Sequence, residues 1–176
     1  MKIIGINLSN NPHSINLTFL TKITKHLGGE VVDFSEIDFP MFRMGIDTPV
    51  NLPPLCDKIA AADFVIFSTP EYNGTFSAFG KNVLDWISTK GTFEKSTKQT
   101  PLSGKPTLLT AVAPGPLGGI RALPSTSTVL SELGCVVVKT FATTGGYNAD
   151  TFDYSKAFAL ADSAVALGSG LIKSTK

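Results

Sequence analysis

The stretch DFVIFSTPEYNGTF, residues 63–76, decides the fold. Its first half, DFVIFS (63–68), is an almost unbroken apolar run, the pattern of a strand buried on both faces of a parallel sheet. Its second half breaks into Pro70, Glu71, Tyr72, Asn73 and Gly74. The next segment, SAFGKNVLDWIS (77–88), places Phe79, Val83, Leu84 and Ile87 on one side of a helix. Strand, irregular loop and amphipathic helix in that order are the opening of a β-α-β unit.

The same alternation extends in both directions. KIIGINL (2–8) is another apolar run, followed over 14–27 by Ile15, Phe19 and Ile23 at spacing four, with Leu20 and Leu27 beside them. Gly28-Gly29 closes that helix. EVVDF (30–34) reads as the second strand, and residues 39–54, with four prolines, as a long irregular connection. A short helix is expected over 55–62. Residues 89–105 read as a polar loop, KPTLLTAVAP (105–114) holds the fourth strand, and 118–133 a helix with Pro124 in its first turn. CVVVKTF (135–141) is the fifth strand and 152–168 the last helix. Alternation of this kind predicts an α/β three-layer sandwich, helices on both faces of a five-stranded parallel sheet, in the flavodoxin-like order 2-1-3-4-5. In such a sheet ligands bind beyond the carboxyl ends of the strands, near the switch point between the first and third. The loops starting at Leu8, Ser68 and Ala113 are therefore the candidate site.

Composition narrows the function classes. A chain of 176 residues is expected to form a single domain, residues 1–176. It can bury roughly 70% of its unfolded surface without a disulfide or metal. Charged residues are 16% of the chain, below the usual ~25%, which suits a surface partly covered by a second copy. A net charge of +1 without a basic stripe argues against nucleic acid. Lys90, Lys95 and Lys98 read as a solvated loop. Cys56 and Cys135 form no CxxC and, with two histidines, no metal-ligand spacing, so both are expected to be buried apolar groups and no metal is expected. The apolar run at the start is too short for a signal peptide, and no run approaches the ~18 residues of a membrane span, so a cytoplasmic protein is expected.

Each candidate loop carries its own chemistry. In LSNNPHSIN (8–16), Ser9, Asn10, Asn11, Ser14 and Asn16 offer hydroxyl and amide donors where a strand gives way to a helix, a place suited to phosphate. Ser14 also reads as the helix cap. Neither G-x-G-x-x-G nor G-x-x-x-x-G-K-[ST] is present. In Pro70–Gly74, Tyr72 supplies an aromatic face or hydroxyl, backbone amides after Glu71 can reach the edge of a heteroaromatic ring, and Gly74 permits close backbone approach. In APGPLGGIR (113–121), Pro114, Gly115 and Gly118 can line the far edge of a flat ligand. Arg121 either faces an anionic nucleotide or lies in solvent.

Together, S14-I-N16, P70-E-Y-N-G74 running into K81-N-V-L-D-W86, G104-K-P106 and G115-P-L-G-G-I-R121 resemble the NADPH-dependent FMN reductase family, which includes quinone, chromate and azo-dye reductases. The resemblance covers nearly the whole chain. It implies that FMN is the cofactor, with its phosphate on the first loop (Ser9, Asn11, Ser14, Asn16). The ring would lie against Pro70, Glu71, Tyr72, Asn73 and Gly74, with Pro114, Gly115 and Gly118 on its other side. It also implies a homodimer or homotetramer, in which Lys81, Asp85 and Trp86 serve packing and assembly. There are departures. The family's first loop commonly carries an arginine, where Asn10, Asn11, Pro12 and His13 stand here. An expected proline is Ser77, and an expected leucine is Gly80, which loosens the helix or makes room for something close by.

The implied reaction is a ping-pong cycle. NADPH or NADH gives hydride to flavin N5, and a quinone or other small acceptor then collects the electrons. The flavin carries the chemistry, so no catalytic protein residue is expected. The alternatives are a flavodoxin-type electron carrier, against which +1 speaks, and a flavin-free interaction module. FMN could also be a diffusible substrate.

Overall fold

The structure is a computed structural model and describes residues 1–34, 39–88, 99–145 and 152–174. Lys90, Lys95, Lys98 and most of the expected 89–105 loop lie outside these residues. In chain order the elements are β1 (Ile3–Asn7), α1 (Ile15–His26), β2 (Glu30–Val32), α2 (Leu52–Ala60), β3 (Phe64–Thr69), β4 (Glu71–Tyr72), β5 (Thr75–Phe76), α3 (Ala78–Trp86), β6 (Pro106–Ala113), α4 (Ala122–Glu132), β7 (Val136–Thr144) and α5 (Ser155–Ser174).

The main sheet is five-stranded and parallel, in the order β2-β1-β3-β6-β7. Leaving aside the short β4–β5 pair, this is the expected 2-1-3-4-5. Successive strand residues point to opposite faces, and the burial follows that period. Ile4, Ile6, Val65, Phe67, Leu109 and Ala111 join one core with α2, α3 and α4. Ile3, Phe64, Ile66, Leu108 and Val112 join the other with α1 and α5. Both faces are covered, which is why the strands read as continuous apolar runs rather than alternating ones.

Local chemistry sets the element ends. The Leu17 N–H donates to Ser14 Oγ at 3.3 Å and caps α1. At its other end Gly28 has φ 72°, Gly28 N bonds Lys25 O at 3.0 Å, and Gly29 N bonds Thr24 O at 2.9 Å, the paired bonds of a Schellman cap. Lys105 Nζ donates to the carbonyls of Ala60 and Ala62 at 2.7 and 2.6 Å, tying the end of α2 to the start of β6. Burial lowers the Lys105 pKa, against the pull of Asp63.

Element boundaries differ from expectation in several places, α4 starting at Ala122 rather than at 118. Helix α2 starts at Leu52, because Pro53 and Pro54 occupy its first turn, where a missing N–H costs nothing. Strand β7 runs on to Thr144, and α5 spans Ser155–Ser174 rather than 152–168. A further difference is the β4–β5 hairpin inside the stretch read as a loop. Cys56 and Cys135 are buried, as expected, and neither is in a disulfide. Among the described residues no helix is long and apolar enough to cross a membrane, and no group of His, Cys, Asp or Glu could hold a metal ion.

Candidate functional site

The first loop leaves β1 with the Leu8 N–H bonded to Ser68 O at 2.8 Å. Beyond it, three side-chain acceptors are each taken by a nearby backbone donor. Asn11 N donates to Ser9 Oγ at 3.3 Å, His13 N to Asn11 Oδ1 at 2.9 Å, and Leu17 N to Ser14 Oγ. What stays unengaged is a set of donors: the hydroxyl hydrogens of Ser9 and Ser14, the Asn11 amide NH2, and the first amides of α1. Such a set suits an acceptor-only group, of which phosphate is the clearest example.

Asn16 behaves differently from its neighbours. It is buried, its Nδ2 donates to Val112 O at 2.9 Å, and its Oδ1 accepts from Val112 N at 2.9 Å and Ser68 Oγ at 3.1 Å. It lines the cavity and joins α1 to the ends of β3 and β6, with one Nδ2 hydrogen bonded to Val112 O and the other without a partner among the described residues.

The second loop is a hairpin. Glu71 and Tyr72 pair antiparallel with Phe76 and Thr75, and Asn73 (φ 53°) and Gly74 (φ 83°) sit between them. Positive φ at both central residues is the type I′ turn that Asn-Gly favours. A Cβ on Gly74 would meet nothing within 4 Å, so this glycine serves the turn. Across the cleft, the Glu71 carboxylate accepts from Arg121 Nε at 2.6 Å and from Arg121 N at 3.0 Å, with Nη2 also in contact. Arg121 is thus tied to Glu71 while its side chain stays 60% exposed beside the cleft. Thr75 Oγ1 lies 2.9 Å from Ser125 Oγ, a second link from hairpin to α4.

In the third loop, added Cβ atoms on Gly118 and Gly119 would lie 2.6 Å from the Thr143 carbonyl carbon and 2.9 Å from Ala111 Cβ. Those two glycines let the loop press onto β6 and β7. Gly115, with open space around it, is the one that leaves room on the cleft side.

Two adjoining cavities result. One, of about 300 Å³, is lined by Ser9, Asn11, Ser14, Asn16, Pro70, Glu71, Tyr72 and Pro114 among the expected residues. It also takes in His13, Ile15, Val112 and Ala113. The other, of about 420 Å³, shares Glu71, Ala113 and Pro114 and adds Gly115, Gly118 and Arg121. Asn73 and Gly74 line neither. Ala113 opens the third candidate loop, and Val112 before it is marked by the end of an apolar run at the carboxyl edge of the sheet. A roomier groove of about 570 Å³ lies between α3 and α4, beside the Lys81–Asp85 ion pair, away from the strand ends.

The comparison with known families matches residues 1–149 to the model described as NADPH-dependent FMN reductase. The chain belongs to that family. Its description names both the flavin and the dinucleotide that such proteins use. Among curated relatives, the NADH:(hydroxy)cinnamate reductase subunit CrdA of Vibrio ruber is 34% identical over 69% of this chain and 58% of its own length. An NAD(P)H-dependent FMN reductase of Pseudomonas aeruginosa is 29% identical over 69% and 65%. The chain thus spans under two thirds of the length of each. Among solved structures, FerB of Paracoccus denitrificans, a flavoenzyme NAD(P)H:(acceptor) oxidoreductase, superposes with TM-score 0.72 at 22% identity, covering 98% and 97% of the two chains. General stress protein 14 of Treponema denticola, solved with FMN, superposes with TM-score 0.60 at 15% identity over 97% and 98%. Both likenesses concern the fold.

The donor set and the shape agree with what the family description calls for. A donor-rich end stands beside flat walls formed by Pro70, Tyr72 and Pro114, and these residues fit FMN.

Proposed function

We propose that residues 1–176 act as one FMN-binding domain of an NAD(P)H-dependent oxidoreductase, passing electrons to a quinone or another small flat acceptor. The observation that carries this reading is the first loop, where the side-chain oxygens of Ser9, Asn11 and Ser14 each accept a backbone bond while their own hydrogens stay unengaged among the described residues. That pattern favours an anion end, and the adjoining cleft has apolar flat walls.

In this reading Ser9, Asn11 and Ser14 hold the phosphate of FMN. Pro70, Tyr72 and Pro114 flank the ring, Gly115 leaves space at its edge, and Asn16 fixes the strand ends beneath it. Bound FMN would supply the chemistry, taking up hydride from NADPH or NADH and releasing electrons to the acceptor. The chain's own residues bind, orient and shield. The Glu71–Arg121 pair holds the hairpin and the start of α4 at a set separation. Tyr72, Leu117 and Ile120, each about half exposed (50%, 52% and 53%), give the mouth an apolar rim suited to an aromatic acceptor or to a second copy of the chain. We place the protein in the cytoplasm as a homodimer or homotetramer.

The test is the visible spectrum of the purified protein before and after adding FMN and desalting. Flavin bands that survive desalting and bleach with NADPH or NADH in the absence of air are expected. A colourless protein that fails to quench FMN fluorescence on titration overturns the proposal.

A further inference from the structure

Among the described residues, the cavity at the first loop has one lining side chain able to carry positive charge, His13. Its backbone N–H is fixed to Asn11 Oδ1, while its exposed ring makes no hydrogen bond among the described residues. The other titratable groups lining this cavity are Glu71, paired with Arg121, and Tyr72, and neither carries positive charge. Behind the loop stands Asp33, 3.4 Å from the Asn7 amide nitrogen that also holds the Ser9 carbonyl. The remaining donors, Ser9, Asn11, Ser14 and the amides of α1, are neutral.

A dianionic phosphate set among neutral donors gains most from the one group that can become a cation, because charge-assisted hydrogen bonds are about twice as strong as neutral ones. Histidine is the side chain whose charge changes between pH 5 and 8. Resting on the flavin reading above, we infer that His13 is a phosphate-binding residue whose protonation makes FMN retention pH-dependent. The protein then holds flavin mononucleotide firmly in mildly acidic solution and releases it as the pH rises. Riboflavin, which lacks the phosphate, escapes this control.

The experiment titrates FMN and riboflavin fluorescence against the full chain at pH 6 and pH 8, with His13→Gln and His13→Arg beside it. FMN phosphate itself titrates near the lower end of this range, as phosphate esters do at about pH 6. The variants share that ligand effect, so the comparison between proteins isolates His13. The expected result is an FMN Kd that rises about tenfold from pH 6 to 8 in the parent chain, equivalent to ~1.4 kcal/mol. Riboflavin affinity stays level. His13→Gln binds FMN weakly at both pH values, and His13→Arg binds it tightly at both. A His13→Gln protein with the parent's pH profile overturns the role of His13 while leaving flavin binding intact. Absence of quenching by either flavin at either pH overturns the flavin reading and this inference with it.

Discussion

Gly80 lies inside α3, where glycine ordinarily costs about 1 kcal/mol relative to alanine. Its position explains the cost. A Cβ there would stand 2.9 Å from both Leu8 Cβ and Ser77 Oγ. Ser77 caps α3 through the Gly80 N–H at 2.9 Å and donates its own hydroxyl hydrogen to the Leu8 carbonyl. The departures from the family pattern at Ser77 and Gly80 are therefore one device, which draws α3 onto the end of β1. Gly80→Ala is expected to lower the urea midpoint, reversing the usual sign of a glycine-to-alanine change in a helix; a raised midpoint contradicts the packing argument. The Glu71–Arg121 pair gives a second test. The carboxylate is 6% exposed and the guanidinium 60%. Removing one partner of a fully buried pair costs 3–5 kcal/mol. Here the exposed arginine reduces that, and Arg121→Gln should cost about 1–2 kcal/mol. Adding Glu71→Gln should recover part of it, as a double-mutant cycle would read.

At the scale of elements, the strands were legible because a parallel sheet buries both faces and needs unbroken apolar runs. The loops were less so. Asn73-Gly74 carries the strongest short hairpin signal, yet its flanking strands are two residues each, too short to show a period of two. The bond from Asn16 to Val112, 96 residues away, is not legible in the sequence, because only the folded sheet brings the two together. Arg121 and Glu71, 50 apart, were hidden for the same reason. The G104-K-P106 motif also gained its meaning from structure, as Lys105 caps α2. Because its folded pKa is lowered below 10.5, the unfolded chain binds more protons between the two values. By linkage this lysine adds stability as pH rises through that window. Lys105→Met should therefore lower Tm near neutrality through the lost cap and flatten the alkaline limb of the Tm profile. An unchanged alkaline limb would refute the linkage.

Across the whole molecule, two cores on opposite faces of one sheet should melt together, and the cysteines report on this. Cys56 is fully buried. Burial pushes the Cys135 thiol up to about 12, with a Thr107 hydrogen bond opposing. Thiolate is the reactive form, so neither residue should react with a disulfide reagent in the native state. Both should react at one common rate, set by global unfolding, as urea is raised. Two separate rates would mean that the cores open independently.

The last helix meets the sheet through small residues. Ala157, Ala161 and Ala164 are buried, and a Cβ on Gly168 would touch Phe64 at 2.8 Å. Side chains this small let α5 lie flush on strands made early in the chain, with Ser169 reaching back to Met1 at 3.6 Å. Synthesis runs at about 5–20 residues per second, so on the order of ten seconds separate β3 leaving the ribosome from the arrival of its cover. During that interval Ile3, Phe64 and Ile66 face water on a half-roofed sheet. The nascent chain is then most open to chaperones and to neighbouring chains on the same message, and the cell's translation speed becomes a determinant of yield.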